Sequence, residues 1–145
     1  MEYHFYGWEN EVIKPIHDKY QNIHSPRDLY DKLSGIWCAD TCAPRMRHLW
    51  TKENKTKGQC SITAFLAQDI FGGEVYGIPL EDGSVHCYNV VGGCCFDLTS
   101  EQFGDRAKEL VYEDHPQQFR EVHFAKKEKR IRYEMLQEAL EKMLM

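Results

Sequence analysis

The chain predicts an α+β domain on three observations. An apolar helical run begins at Cys60, two β-rich segments flank Gly92-Gly93, and a long amphipathic pattern closes the sequence over 126–145. A two-residue glycine loop between strands makes the sheet antiparallel, because parallel strands need a longer crossover. The expected architecture is a single domain over 1–145, with a cysteine at the N-terminus of a buried helix packed on a small antiparallel sheet. At 145 residues such a domain buries a core without metal or disulfide staples.

Taken in order, residues 9–22 put Val12, Ile13, Ile16 and Tyr20 at helical spacing, with Pro15 marking a start or a break. A firmer helix begins at Ser25-Pro26-Arg27-Asp28. Serine caps, proline suits the first helical position, and Asp28 stands where a capping box needs an acid. Leu29, Leu33, Ile36 and Trp37 form its apolar stripe. Residues 38–57 are irregular, with a short helix expected over 44–50 and a polar loop behind it. Over 61–71, Ile62, Phe65, Leu66, Ile70 and Phe71 surround the polar pair Gln68 and Asp69, so this helix is buried over much of its circumference. Gly72-Gly73 supplies its C-cap.

Residues 74–80 alternate weakly and are expected to be broken at Gly77 and Pro79, before a turn over 81–84. Segments 84–91 and 94–98 read as a hairpin on a Gly92-Gly93 loop with positive φ. That loop sets a register: Val91 opposes Cys94, Asn89 opposes Phe96, Tyr88 opposes Asp97 and His86 opposes Thr99. Asp97 then becomes the diagonal, same-face neighbour of His86, at about 7–8 Å between backbones. A slip of one residue would put them on opposite faces. A short helix is expected over 100–103 and irregular chain over 112–124, around Pro116. The closing helix, over 126–145, carries Ile131, Met135, Leu136, Ala139, Leu140, Met143 and Leu144 on one face.

A net charge of -5 argues against general affinity for nucleic acid or anionic membrane, which rests on neutralising phosphates. The basic run over 126–132 therefore reads as the solvated face of the last helix. Trp37, Trp50, Tyr76 and Tyr88 likewise read as core or cleft lining, not as a base-stacking platform. The first residues lack the pattern of a signal peptide and no apolar run could span a bilayer, so the expected location is cytoplasmic. In that compartment Cys38, Cys42, Cys60, Cys87, Cys94 and Cys95 are free thiols, metal ligands or catalytic groups, not a disulfide framework. Zinc would accept four thiolates, but the Cys38/Cys42 spacing departs from the usual knuckle and Cys94 and Cys95 point to opposite faces of a strand. Unligated thiols are the expectation, with no metal and no cofactor.

A cysteine in the first turn of a helix is placed where a thiol nucleophile would be, since the helix dipole and free N–H groups favour the thiolate. His86 follows as a candidate base and Asp97 as the group that orients it. Spacing alone equally allows Cys60 to be a small buried hydrophobe and His86 a satisfied strand histidine. The stretches KGQCSITAFLAQDIFGGEV, HCYNVVGG and FDLTSEQF resemble the YunG-like family of small bacterial proteins. The order of helix-start cysteine, strand histidine and Asp-Leu-Thr also resembles the transglutaminase-like form of the papain-like fold. The resemblance covers about residues 50–104 well and the last helix more loosely.

That resemblance implies a papain-like α+β domain with Cys60, His86 and Asp97 as a triad and Gln59 and Tyr88 beside it. Gln59 would help form an oxyanion hole, or else cap the helix; Asn89, on the other face of the hairpin, is a poor orienting residue. The expected function is a thiol hydrolase or acyltransferase acting on an amide or peptide-type substrate, small molecule or peptide. The competing expectation is a binding or regulatory module that keeps the fold without turnover.

Overall fold

With apolar residues around most of its circumference, helix α2 (Cys60–Phe71) has to be covered on nearly every side, and it is: Ile62, Phe65, Leu66 and Ile70 are fully buried. This is seen in a computed structural model that describes residues 5–9 and 13–145. Helix α2 lies against a sheet on one side and against the C-terminal helix on the other. Gly72 and Gly73 end it, both at positive φ. Before it, helix α1 (Pro26–Leu33) starts as its sequence requires, with the Ser25 hydroxyl accepting from the Asp28 N–H. Asp28 closes the other half of the cap one residue early, accepting from the His24 N–H. Of the apolar pattern over 9–22, only a 3-10 turn at Asp18–Tyr20 is helical among the described residues, and Val12 lies outside them. A second 3-10 turn, Pro44–Leu49, fills the expected short helix.

The sheet has four antiparallel strands in the order β3-β2-β1-β4: β1 (Glu74–Pro79), β2 (Val85–Val91), β3 (Cys94–Phe96) and β4 (Gln117–Gln118). Gly92 and Gly93 both take positive φ, the two-residue loop that strand twist favours. The register follows from it: Val91 opposes Cys94 and Asn89 opposes Phe96. Cys87, Asn89 and Phe96 therefore share the face turned to α2, where the Asn89 amide donates to the Ala64 carbonyl at 2.8 Å. His86, Tyr88 and Asp97 share the other face. The fold is α+β, with His86 and Asp97 on the face of β2 opposite the one that packs on α2.

Two expectations are corrected. Strand β1 runs unbroken through Gly77, because the Gln118 side chain of β4 occupies the space a Cβ would need, 2.8 Å from its Nε2. Pro79 is tolerated as the last strand residue. On helix α4 (Lys127–Leu144) the buried face is Arg132, Tyr133, Leu136 and Leu140, while Ile131 is 47% exposed and Met135 and Met143 are exposed as well. Polar residues can occupy that face because each finds a partner. Arg132 donates to the Thr41 carbonyl at 3.0 Å and to Glu128 at 2.8 Å, and Tyr133 donates to Asp69. The region over 112–124 is also less irregular than expected, holding β4 and the single turn α3 (Arg120–His123). The short helix over 100–103 extends as 3-10 turns to Glu109, kinked at Gly104.

Glycines in the two turns should therefore differ in their tolerance of alanine. At Gly73 a Cβ would overlap the Val90 carbonyl oxygen and come within 2.9 Å of the Val91 Cα, in addition to the cost of positive φ. At Gly92 nothing lies within 4 Å and only the φ cost remains. Urea unfolding should show Gly73→Ala losing about 3 kcal/mol or more and Gly92→Ala about 1 kcal/mol.

Candidate active site

The site begins with the end of β3. Asp97 leaves the ladder: its N–H donates to the Tyr6 carbonyl at 2.9 Å, and its carboxylate Oδ1 accepts from the Thr99 N–H at 3.2 Å. Side-chain capture of a backbone N–H two residues ahead is a turn device, and it stops the strand at Phe96. Residues Val85–Tyr88 of β2 consequently have no β3 partner. The backbone groups of Val85 and Cys87 point to that open edge, as Asn89 does toward Phe96 further along. Cys60, in the first turn of α2, occupies it. Its thiol donates to the Val85 carbonyl at 3.7 Å, and Cys87 is its nearest electrostatic neighbour on the strand. His86 lines the same cleft as Cys60, and the two interact electrostatically.

His86 and Asp97 are each 1% exposed, and His86 Nε2 lies 2.6 Å from Asp97 Oδ2. Every lone pair a buried carboxylate offers needs a donor. Asp97 Oδ2 takes a second one from the Tyr112 hydroxyl at 2.7 Å, and Oδ1 takes the Thr99 N–H and hydroxyl. Burial alone would depress His86, but the charge and hydrogen bond of Asp97, followed by those of Cys60, outweigh it and lift His86 to about 10. Cys60 moves the other way. The Cys87 side-chain hydrogen bond, opposed by burial and assisted by the hydrogen bond and charge of His86, holds its thiol well below the ordinary value. Cys87 is pushed well above the ordinary value by the same shared hydrogen bond and by burial. Both shifts run toward a Cys60 thiolate beside a His86 imidazolium.

The other candidates lie further out. Gln59 is fully buried, its amide donates to the Cys38 carbonyl at 3.1 Å, and its Oε1 has no hydrogen-bond partner. It occupies the N-cap position without capping the helix and does not line the cleft. Tyr88 gives its hydroxyl to His115 at 2.9 Å and packs edge-on against Tyr112, so it braces the Asp97 side of the sheet instead of facing Cys60. Gln102 emerges instead as a neighbour of the histidine. Its Oε1 accepts from the Gly58 N–H at 3.4 Å, and its Nε2 donates to Thr99 and stands 3.3 Å from His86 Nδ1. That last contact is a hydrogen bond only while Nδ1 is unprotonated. Gln102 and Tyr112 were not singled out from the sequence. The Gln-Phe pair after Asp-Leu-Thr was the available signal for the first, and nothing local marked the second.

Cys60 and His86 open onto a cleft of about 590 Å³ between the loop over 43–58, the turn at 83–85 and the start of α4. Met46, Leu80, Phe103 and Val122 supply apolar wall. Cys60 keeps partial exposure there, whereas Cys87 is closed off behind it. Among the described residues no group of three or more His, Cys, Asp and Glu side chains is arranged to hold a metal ion, and no helix is long and apolar enough to cross a membrane.

The ion pair carries a signed pH dependence. His86 is raised from an ordinary 6.5 to about 10, so its contribution to stability is fully present below 6.5 and is lost as pH climbs through 10. Asp97→Asn should cost about 3–5 kcal/mol at pH 6, by leaving His86 without its buried partner. Urea unfolding at pH 6 and above pH 10 should show the gap from wild type narrowing at the higher pH.

Comparison with known proteins sets this geometry beside relatives. The chain is 44% identical over 54 residues to a protein of Bacillus subtilis (strain 168) described as "Uncharacterized protein YunG". That match takes in 37% of this chain and 46% of the relative, so it spans about half of the relative's length. No solved structure matches the chain. The model of the YunG protein family matches residues 25–145, which takes in every side chain of the site from Cys60 to Lys129, and the chain belongs to that family.

Proposed function

We propose that the protein is a thiol hydrolase or acyltransferase of papain-like design, acting on an amide or peptide-type acyl substrate. The observation that carries this reading is the buried 2.6 Å His86–Asp97 pair, whose histidine lines the same cleft as a thiol at the start of a buried helix. The Cys60 thiolate attacks the carbonyl carbon. Electrons shift onto the carbonyl oxygen, which the free N–H of Cys60 in the first turn of α2 receives. His86 gives the Nδ1 proton to the departing amine as the C–N bond breaks, leaving a thioester on Cys60. Water or an acceptor nucleophile then gives its proton to His86 as it attacks the thioester, and the Cys60 thiolate is released, which restores the starting ion pair. Asp97, through Nε2, keeps the other nitrogen of the ring turned to Cys60 throughout.

Gln59 departs from its expected part in this scheme, because its amide is already committed to Cys38; the backbone donor of Cys60 takes the oxyanion role. A second reading, a binding or regulatory module without turnover, is favoured by one contact. The Gln102 amide stands against the His86 nitrogen that catalysis requires.

The two separate on the chemistry of one thiol. Alkylation by iodoacetamide, followed at Cys60 by peptide mass spectrometry, should already be fast well below about pH 8 and hold a plateau into the alkaline range. His86→Ala should move the profile to that of an ordinary thiol. With p-nitrophenyl acetate, wild type should accumulate an acetyl group on Cys60, at a rate that His86→Ala lowers about a hundredfold or more. A normal thiol profile in wild type, with no acetyl adduct, rejects turnover and leaves the binding module.

A further inference from the structure

The cleft has the opposite sign of charge from the rest of the molecule. In a chain of net charge -5, the residues around it include Arg45, Lys57, Lys126, Lys129 and Arg132 against one carboxylate, Glu128. Two of these cations are already balanced, Arg45 by Asp82 at 3.1 Å and Arg132 by Glu128 at 2.8 Å. Among the described residues Lys57, Lys126 and Lys129 have no carboxylate within ion-pair distance. Lys129 is the informative one. It is half-buried on the first turn of α4, where an ammonium without a counter-charge costs free energy. Its one polar contact is with neutral imidazole: Nζ donates to His123 Nδ1 at 2.9 Å, while His123 Nε2 donates to Gln118 Oε1. Burial together with Lys129 holds His123 down to about 4, so that ring adds no charge.

Lys129 feels the Cys60 and Cys87 sulfurs, which offset part of its burial cost. One thiolate cannot balance three lysines, and they flank Cys60 from two sides: Lys57 on the chain that leads into α2, Lys126 and Lys129 on the chain that starts α4. We propose that this cleft selects an acyl substrate bearing a carboxylate or phosphate, held by Lys126 and Lys129 with Lys57 opposite, while its carbonyl meets Cys60. The inference rests on the thiol reading above and gives it a substrate class. The basic run at the start of α4 is thereby divided: Lys127 and Arg130 face solvent, and Lys126 and Lys129 face the cleft.

Two alkylating agents of nearly equal size test it, iodoacetate with a carboxylate and iodoacetamide without. The ratio of their rates at Cys60 cancels the nucleophilicity of the thiol and reads the field around it. Wild type should favour iodoacetate about tenfold or more over the ratio for free cysteine. Lys129→Gln and Lys126→Gln should each lower that ratio, as should 1 M salt, and Lys127→Gln should leave it unchanged. A wild-type ratio equal to that of free cysteine, with iodoacetamide still fast at low pH, overturns the substrate class and leaves the thiol enzyme standing. If Cys60 resists both reagents the enzyme reading falls, and calorimetry on Cys60→Ala decides the inference by itself. Glutarate or inorganic phosphate should bind and glutaramide should not, with Lys129→Gln abolishing the heat; equal or absent binding of all three overturns the anion site.

Discussion

The buried contact between His86 and Asp97 is what the remainder of the structure answers to. An ionised pair at 1% exposure is tolerable only when its geometry is tight and its leftover hydrogen-bonding capacity is filled. Asp97 satisfies that demand from four directions: the imidazole, the Tyr112 hydroxyl, and two groups of Thr99. Each donor comes from a different constraint on the chain. His86 arrives through the hairpin register, Thr99 through the local turn, and Tyr112 from chain that packs back across the sheet face against Tyr6 and Tyr88. A fold that must bring these groups to one carboxylate has little freedom in the length of the Gly92-Gly93 loop or in the end of β3.

The same carboxylate also opens the site. By capturing the Thr99 N–H, Asp97 ends β3 and leaves the edge of β2 over Val85–Tyr88 without a β3 partner. An unpaired strand edge is ordinarily a liability, since its N–H and C=O groups seek a partner. Here α2 delivers the Cys60 thiol to that edge, where it donates to the Val85 carbonyl. One residue thus orients the histidine and vacates the place the thiol takes. Positioning and access are coupled through Asp97, and a longer β3 would close the edge even with all three side chains retained.

How much of this could be read from the chain follows from the range of each interaction. The hairpin register was legible because two glycines at positive φ allow a single loop length, and the face shared by His86 and Asp97 came with it. Helix α2 was legible because a run of apolar residues ended by Gly-Gly leaves little choice. Helix α4 was legible as a helix and misread as a surface. Periodicity ranks Ile131 above Arg132, and only the Thr41 carbonyl, 91 residues away in sequence, makes the arginine an inward residue. Gln59 was misread for the same reason, since its direction depends on Cys38. Tyr112 and Lys129 carried no local signal at all, because what distinguishes them is the company they keep in space.

Two thiols at one strand edge raise the question of which sheds its proton, and the surroundings answer it. Cys60 has the helix N-terminus, the imidazolium and a backbone N–H; Cys87 is sealed behind it on the α2 face with little to stabilise a charge. On the proposed function, Cys87 keeps its proton and serves as the neighbour that favours a Cys60 thiolate. Such a neighbour has two opposed effects. It raises the fraction of thiolate at neutral pH, and it draws electron density from the sulfur, so that nucleophilicity falls as the pKa falls. The rate of attack rises with the first and falls with the second, less than proportionally because the Brønsted slope is about 0.4–0.5. At neutral pH, where an ordinary thiol is only a few per cent ionised, the gain in population outweighs the loss in intrinsic reactivity. On that reading the second cysteine helps to keep the first one ionised in a half-buried site.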